Sequence, residues 1–413
     1  MKNIDITLDI MALGAGYNNP TGRTGIFRVV ENLVKGLSKS PQCNLSFIST
    51  HFEKESKKYL KEILDLNQND LQYPKSSDFI INKINNYLIN HQLQDKKGIN
   101  FIVNNVIPYN NLKKLAYRSD VYHSPYMPIP AELKSVSKIK KFLTVHDLIP
   151  ILYPQYFEKN NQPLIKNAIE SLEEDGYAIC VSQSTKDDLC NYTNINPNQV
   201  FVSHLAASHD KFYPQNDKTK IEIVRKKYGI GIEDYFLSVS TIEPRKNILH
   251  VINSFTSLIN SGELKDVNLV LAGTKGWDFK DVFDQINNSD IKKKIIVTGF
   301  VDDEDLASLY SGALAFVYPS LYEGFGLPVL EAMQCGKPVI TSNISSLPEV
   351  IEDAGILISP KDPDELCQAM LDLYRNVSLR NELANKAILQ SKKFTWENCI
   401  NQNIDAYKFA LNR

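Results

Sequence analysis

Short apolar runs alternate with amphipathic helical segments along most of the chain, and that alternation confines the fold to parallel sheets flanked by helices. In the first half the runs predict strands at 4–11, 44–49, 100–105, 119–123, 140–145, 177–181 and 200–203. In the second half they predict strands at 235–240, 268–273, 294–299, 314–318, 338–341 and 355–358. A helix from about residue 25 carries Ile26, Val29, Val30, Leu33, Val34 and Leu37 on one face, and 362–394 read as two further amphipathic helices. The polar stretch 206–222 reads as a linker between halves, and 395–413, with Trp396, as a last helix. At 413 residues, each half is long enough for its own core. The expected architecture is two doubly wound α/β domains, 1–212 and 213–395, facing each other across a cleft.

Composition narrows the function. Basic and acidic residues number 46 and 48, a net charge of −2 that gives no sign of a nucleic-acid binder. The six cysteines form no CxxC or His/Cys ligand spacing, which suits reduced, buried thiols. The N-terminus opens directly on an alternating strand, and no apolar run approaches the ~18 residues that span a bilayer. A cytoplasmic protein, at most peripheral to the membrane, is expected. The basic stretches 54–64 and 134–142 are read as solvated surface, with contact to anionic headgroups as the second reading.

The most informative segment is 317–338, VYPSLYEGFGLPVLEAMQCGKP. A strand ends in a loop holding Glu323, Gly324 and Gly326, Pro328 sits where a first helical turn would begin, and Gly336 where the helix would stop. A carboxylate, exposed N–H groups and a helix N-terminus thus meet at a strand's carboxyl end, where open α/β sheets bind ligands and phosphates are favoured. Glu331 follows Glu323 by eight residues. Eight helical residues rise about 12 Å, too far for a glycosidase pair, whose carboxyl groups lie roughly 5–9.5 Å apart across one bond. The two are read as separate grips on an elongated ligand. The bland reading is a helix-start Glu and a solvated loop Glu.

Residues 235–247, YFLSVSTIEPRKN, give a second strand, then adjacent Arg245 and Lys246, then a helix with Asn247 as its N-cap. A guanidinium fork and a compact ammonium beside a helix N-terminus suit a diphosphate. A lone basic pair would be solvated surface; the EGFG loop expected on the same sheet favours the ligand.

The combination TIEPRKN, GFVDDEDLASLYSGALAFVYPS and EGFGLPVLEAMQCGKPVITSN resembles the nucleotide-sugar half of a retaining glycosyltransferase of the GT-B fold, family 4. The likeness is strongest over about 235–375, continues more weakly over the N-terminal half, and includes the closing FTWEN. It implies that the second domain binds the donor, that the first supplies the acceptor side, and that helix 396–413 crosses back onto the first domain. It implies that Gly273, Gly299 and Phe300 lie near the base, mainly through backbone groups. It implies that Glu323 with the N–H groups of Gly324, Phe325, Gly326 and Leu327 holds sugar hydroxyls, and that Glu331 holds the ribose. It also implies that His146, in FLTVHDLIP, lies over the donor sugar.

In the first half a loop holding Gly14, Gly16, Gly22 and Gly25 is expected between the first strand and the first long helix, and its TGRTGIF (21–27) carries Arg23, with Arg28 just beyond, as nearby charge. Ligand contact and a tight connection are both open there. The absence of a full GxGxxG argues against a nicotinamide dehydrogenase. Asp147 either orients His146 or caps the next turn. His123 is read as structural, and Ser182 or Ser184 as a helix cap.

The chemistry follows from charge. As the anomeric bond breaks, Arg245, Lys246 and the helix N-terminus near Pro328 stabilise the leaving diphosphate. No metal or cofactor is required on this reading, and the leaving phosphate takes the acceptor's proton. The substrates are a GDP-linked mannose-type donor, slightly ahead of a UDP-hexose, and a glycan or lipid-linked acceptor in bacterial surface-polysaccharide assembly. The alternatives are an inactive nucleotide-sugar-binding partner subunit, or a phosphosugar-acceptor synthase of the same fold.

Overall fold

Parallel pairing is what strand–helix alternation requires, and the computed structural model of the protein has it throughout. It describes residues 2–19, 25–49, 52–66, 118–156 and 162–413. Among these, one six-stranded sheet holds β1 (Ile4–Asp9), β2 (Cys43–Ile48), β3 (Val121–Ser124), β4 (Lys140–Val145), β5 (Tyr177–Cys180) and β6 (Val200–Val202) in the order β2-β1-β3-β4-β5-β6. A second holds β7 (Asp234–Val239), β8 (Val267–Ala272), β9 (Ile295–Gly299), β10 (Ala315–Tyr318), β11 (Val339–Ser342) and β12 (Ile356–Ile358) in the order β12-β11-β10-β7-β8-β9. In each, the strand order reverses once: between β1 and β3, and between β7 and β10. Such reversal points open a crevice at the strands' carboxyl ends.

The helices cover these sheets with the faces the sequence marks. Helix Gly25–Lys39 buries Phe27, Val29, Val30, Leu33, Val34 and Leu37, with Ile26 only half-buried. Helices Pro363–Arg375 and Val377–Ser391 fill the expected pair. The last helix, Trp396–Leu411, returns to the first sheet: Tyr407 Oη lies 2.7 Å from His123 Nδ1, and Asn403 donates to Ser203 Oγ at 2.9 Å. One continuous set of buried apolar residues runs from Leu8 through Ala207 and Phe212 of the connector to Phe325 and Leu330. The two lobes therefore share apolar contacts as well as the connector.

Three local expectations are corrected. The stretch holding Gly14 and Gly16 is not a loop but a helix, Met11–Asn18. It packs on helix Glu53–Glu62 so closely that a Cβ at Gly14 would meet the Phe52 carbonyl oxygen at 2.6 Å, so this glycine serves contact and not a turn. The linker is shorter than 206–222, because Asp217 accepts from the N–H groups of Thr219 and Lys220 and starts helix Lys218–Lys227. Asn247 opens helix Ile248–Asn260 in a left-handed conformation, φ 58°, and its side chain caps nothing. Its amide instead donates to the carbonyls of Pro319 at 3.0 Å and Pro360 at 2.7 Å, tying two loops together.

The strand expected at 100–105 and the loop residues Gly22 and Arg23 lie outside the described residues. All six cysteines are free, with Cys43, Cys180, Cys335 and Cys399 buried. No helix among the described residues is long and apolar enough to cross a membrane. Of the basic stretch 134–142, Lys141 is neither solvated nor lipid-facing: it is 2% exposed and pairs with Glu173 at 3.0 Å.

Candidate functional site

The second sheet's reversal point brings the RK turn and the EGFG loop together, because β7 and β10 are hydrogen-bonded neighbours. After β7 a single tight turn, Pro244–Lys246, presents the two cations. The backbone oxygen of Arg245 accepts from the N–H of Leu321 at 2.8 Å and from Ser320 Oγ at 3.1 Å, so the loops are stitched before any side-chain charge is counted.

Glu323 is the hub. Its Oε1 accepts from Lys246 Nζ at 2.6 Å, Tyr318 Oη at 2.8 Å and Ser320 Oγ at 2.7 Å, while Arg245 Nη1 lies 2.8 Å from Oε2. Arg245 is also held by Glu243 at 2.8 Å and by the Tyr322 carbonyl at 2.8 Å. Burial alone would push the Glu323 carboxyl up, but Arg245, Lys246 and the bonds from Lys246 and Ser320 outweigh it and hold it at about 2. Burial and the neighbouring Arg245 lower Lys246, with Glu323 opposing both, whereas Glu323 and Glu243 raise Arg245 against its burial. The sequence aims both cations and Glu323 at a ligand; the structure first aims them at one another. A carboxylate has about four lone-pair positions, and four protein donors approach this one. A sugar hydroxyl reaches Glu323 only in exchange for one of them.

Helix Leu327–Gln334 begins after Gly326, whose φ of 108° only glycine adopts readily, with Pro328 in the first turn. Glu331 on this helix has wholly different partners from Glu323: Arg28 Nη1 at 3.1 Å and Tyr310 Oη at 3.0 Å. The two carboxylates thus share no partner and stand in separate side-chain environments. Phe325 is 4% exposed and packs on the rings of His204 and Phe394, so its side chain is committed to the protein interior. Leu327 lies 3.5 Å from where a Cβ at Gly25 would stand, which brings the start of the first long helix against this one.

The remaining candidates are spread around this centre. Gly273 donates its N–H to Gly299 O at 2.8 Å, which joins the ends of β8 and β9, and Phe300 beside them is 54% exposed. His146 ends β4 in the first lobe and hydrogen-bonds through Nε2 to Pro125 O at 2.8 Å; burial lowers it to about 4, so the ring is neutral near pH 7. Asp147 accepts from Ile149 N at 3.0 Å, the capping alternative. His123, bonded to Tyr407 and Thr144, is fully buried and structural. Ser182 caps helix Gln183–Tyr192 by accepting from Thr185 N.

A tight contact joins His146 to the EGFG loop. A Cβ at Gly324 would run into the backbone oxygen of His146 and reach 3.0 Å from Asp147 Cβ. Backbone cannot swing aside as a side chain can, so Gly324→Ala is expected to hold the lobes apart. Small-angle scattering would show a larger radius of gyration with little change in melting; an unchanged radius would mean that the loop itself gives way.

Sequence reasoning missed every polar contact between the lobes. Tyr322 Oη donates to Asp188 at 2.7 Å, and Glu349 accepts the N–H of Gln183 at 2.8 Å while lying 2.5 Å from His204 Nε2. Partners more than a hundred residues apart leave no local signal. The expectation of metal independence also took the chain to lack an Asp-x-Asp triplet, which is corrected: it has two, 303–305 and 362–364. Asp303 pairs with Arg28 and Lys211, Asp305 with Lys227 and Tyr228, and Asp362 caps helix Pro363–Arg375. The carboxylates of Asp303, Asp305 and Asp362 are thus engaged by protein partners, and among the described residues no group of three or more His, Cys, Asp or Glu is arranged to hold a metal.

Comparison with known proteins gives a consistent picture. Residues 220–390 match the family described as glycosyl transferases group 1. O-antigen chain mannosyltransferase B of Escherichia coli is 33% identical over 293 residues, covering 71% of this chain and 75% of that protein. The serotype-specific mannosyltransferase WbdA of the same species is 31% identical over 276 residues, 66% of this chain but 34% of its own. Among solved structures, Anabaena HepE in complex with UDP and glucose has a TM-score of 0.68 at 16% identity, covering 98% of this chain and 100% of that one. WaaG, a glycosyltransferase involved in lipopolysaccharide biosynthesis, has a TM-score of 0.62 at 15% identity, covering 97% and 99%. These likenesses bear out the expected fold: two facing Rossmann-like lobes of the GT-B kind.

Proposed function

The chain belongs to the glycosyl transferases group 1 family, and on that footing we propose that it is a retaining, metal-independent hexosyltransferase moving a mannose-type sugar from a GDP-linked donor to a glycan or lipid-linked glycan acceptor. Its setting is bacterial surface-polysaccharide assembly on the cytoplasmic side. The observation that carries this reading is the buried Arg245–Lys246–Glu323 cluster at the reversal point of the second sheet, beside a helix N-terminus.

The roles follow from that geometry. Lys246 has three N–H donors, and Tyr318 and Glu323 take two of them. The third serves a phosphate oxygen of the donor. Arg245, braced by Glu243, Tyr322 and Glu323, adds fixed positive charge behind it. Together with the N–H groups that open helix Leu327–Gln334, they stabilise the diphosphate as it gains charge. Glu323 sets both cations and trades a donor for a sugar hydroxyl. The N–H groups of residues 324–327 hold the sugar, Glu331 the ribose, and the backbone around Gly273, Gly299 and Phe300 the base. Neutral His146 reaches the sugar from the first lobe, and the leaving phosphate accepts the acceptor's proton.

The mannosyl assignment is supported by the two relatives described as mannosyltransferases, and the GDP assignment rests on it. The solved structure holding UDP is too distant to speak to the nucleotide. A panel of GDP, UDP, GDP-mannose and UDP-hexoses tests the assignment by thermal shift and by transfer to a lipid-linked glycan. At a concentration a hundred times Kd the correct nucleotide stabilises by about 2.7 kcal/mol. GDP compounds are expected to raise the melting temperature most and GDP-mannose to be turned over. Preference for a UDP-sugar would overturn the donor assignment, and binding without any transfer would favour an inactive partner subunit.

A further inference from the structure

Glu331 is completed from the opposite lobe. Its side chain is 7% exposed, and the cation touching it belongs to Arg28, in the first turn of helix Gly25–Lys39. Arg28 Nη1 donates to Glu331 Oε1 at 3.1 Å and Nη2 to Asp303 Oδ1 at 2.7 Å, so one planar fork spans two carboxylates. Tyr310 Oη donates to the other oxygen of Glu331 at 3.0 Å. Lys211 of the connector pairs with the far oxygen of Asp303 at 2.9 Å. The titratable and charged groups around Glu331 are thus Arg28 from the first lobe, Lys211 from the connector, Asp303 and Tyr310 from helix Asp303–Gly312, and Cys335 just past its own helix.

We infer that Arg28 is a positioning residue for the donor: acting through Glu331, it holds that carboxylate ionised and oriented as the acceptor for the ribose diol, so that donor affinity depends on both lobes. The inference rests on reading Glu331 as the ribose grip. An ionised carboxylate has about four lone-pair positions. Arg28 and Tyr310 occupy two, which leaves two, one for each hydroxyl of a vicinal diol. A protonated carboxyl would lose acceptor capacity and present an O–H to the diol instead. Burial pushes the Glu331 carboxyl up to about 7, with Arg28 and then Tyr310 pulling it back. Its acceptor form is complete above that pH and lost as pH falls through it. Removing the Arg28 charge moves that loss to higher pH.

The test is calorimetric binding of GDP, or of UDP if the donor panel selects it, from pH 5.5 to 9. Wild type, Arg28→Gln and Arg28→Lys are each compared with the corresponding 2′,3′-dideoxynucleotide, which subtracts the titration of the phosphates. Wild-type affinity for the ribonucleotide, relative to the dideoxy compound, should fall as pH drops through about 7. In Arg28→Gln that fall should lie about one pH unit higher, which weakens binding about fivefold at pH 7, approaching about tenfold below pH 6, and by much less at pH 9. Arg28→Lys, keeping the charge without the fork, should lie between. An unmoved midpoint in Arg28→Gln, or a weakening equal at every pH, overturns the role of Arg28 while leaving Glu331 as the ribose grip. Equal binding of ribo- and dideoxynucleotide by wild type overturns the ribose reading itself, and this inference with it.

Discussion

Exchange of Glu323 for glutamine is expected to abolish sugar transfer and to destabilise the second lobe by about 3–5 kcal/mol, the usual cost of removing one partner from a buried ion pair. Arg245 and Lys246 are both largely buried, and Glu323 is the carboxylate they share. Once it is neutralised the two cations face each other, with Glu243 paired to Arg245 and Asp147 nearby as the remaining carboxylates. Urea unfolding of the second lobe reads the loss directly. The acid limb gives a second reading with a definite sign. The Glu323 carboxyl sits at about 2 in the fold, against about 4.3 in an unfolded chain. A depressed carboxyl stabilises the fold fully above its unfolded value and loses that contribution as pH falls from about 4.5 towards 2. The wild type should therefore lose stability steeply across that window and the glutamine variant much less. Parallel acid limbs would mean that Glu323 is not the counter-charge of the pair.

The same cluster shows what the sequence reveals and what it withholds. Strands buried on both faces are continuous apolar runs, and the punctuation around them is glycine, proline and polar turns. That is why all six strands of the second sheet lie within a residue or so of their expected places, from Asp234–Val239 to Ile356–Ile358. Arg245, Lys246, Glu323 and Glu331 were legible as charges at strand ends and a helix start. Their partners were not. A sequence displays the sign of a charge but not its distance from another, and Arg245 and Glu323 are joined only because β7 and β10 are neighbours in the sheet. The Arg28–Glu331 bond depends further on how the lobes face each other, for which no local pattern exists. Glycine was misread where it serves close packing: Gly14 lies within a helix against Phe52 and Ser56, a contact invisible until both helices are placed. Asn247 misled for a related reason, since its side chain is claimed by two distant carbonyls before it can cap its own helix.

Lys246→Ala separates catalysis from stability within that cluster. The variant should turn over about 10²–10³-fold more slowly, as expected for loss of one aimed donor from a site where negative charge develops. The donor KM should change far less than kcat, because Arg245 and the helix N-terminus still hold the ground-state diphosphate. Stability should fall by only about 1–3 kcal/mol, the range for a lost hydrogen bond to a charged group, since Arg245, Tyr318 and Ser320 remain on Glu323. Combining Lys246→Ala with Glu323→Gln should restore part of the stability lost in Glu323→Gln alone, because a buried cation leaves together with its anion. Transfer should stay as low as in either single variant. Steady-state kinetics on the two single variants and the double, with urea unfolding of each, make the distinction. If kcat recovers along with stability in the double variant, the cluster acts only as a brace for the loops. If stability recovers and kcat does not, the cluster's charges act on the donor and not only as a brace, and the kcat loss in Lys246→Ala alone, with KM little changed, assigns that of Lys246 to the leaving phosphate.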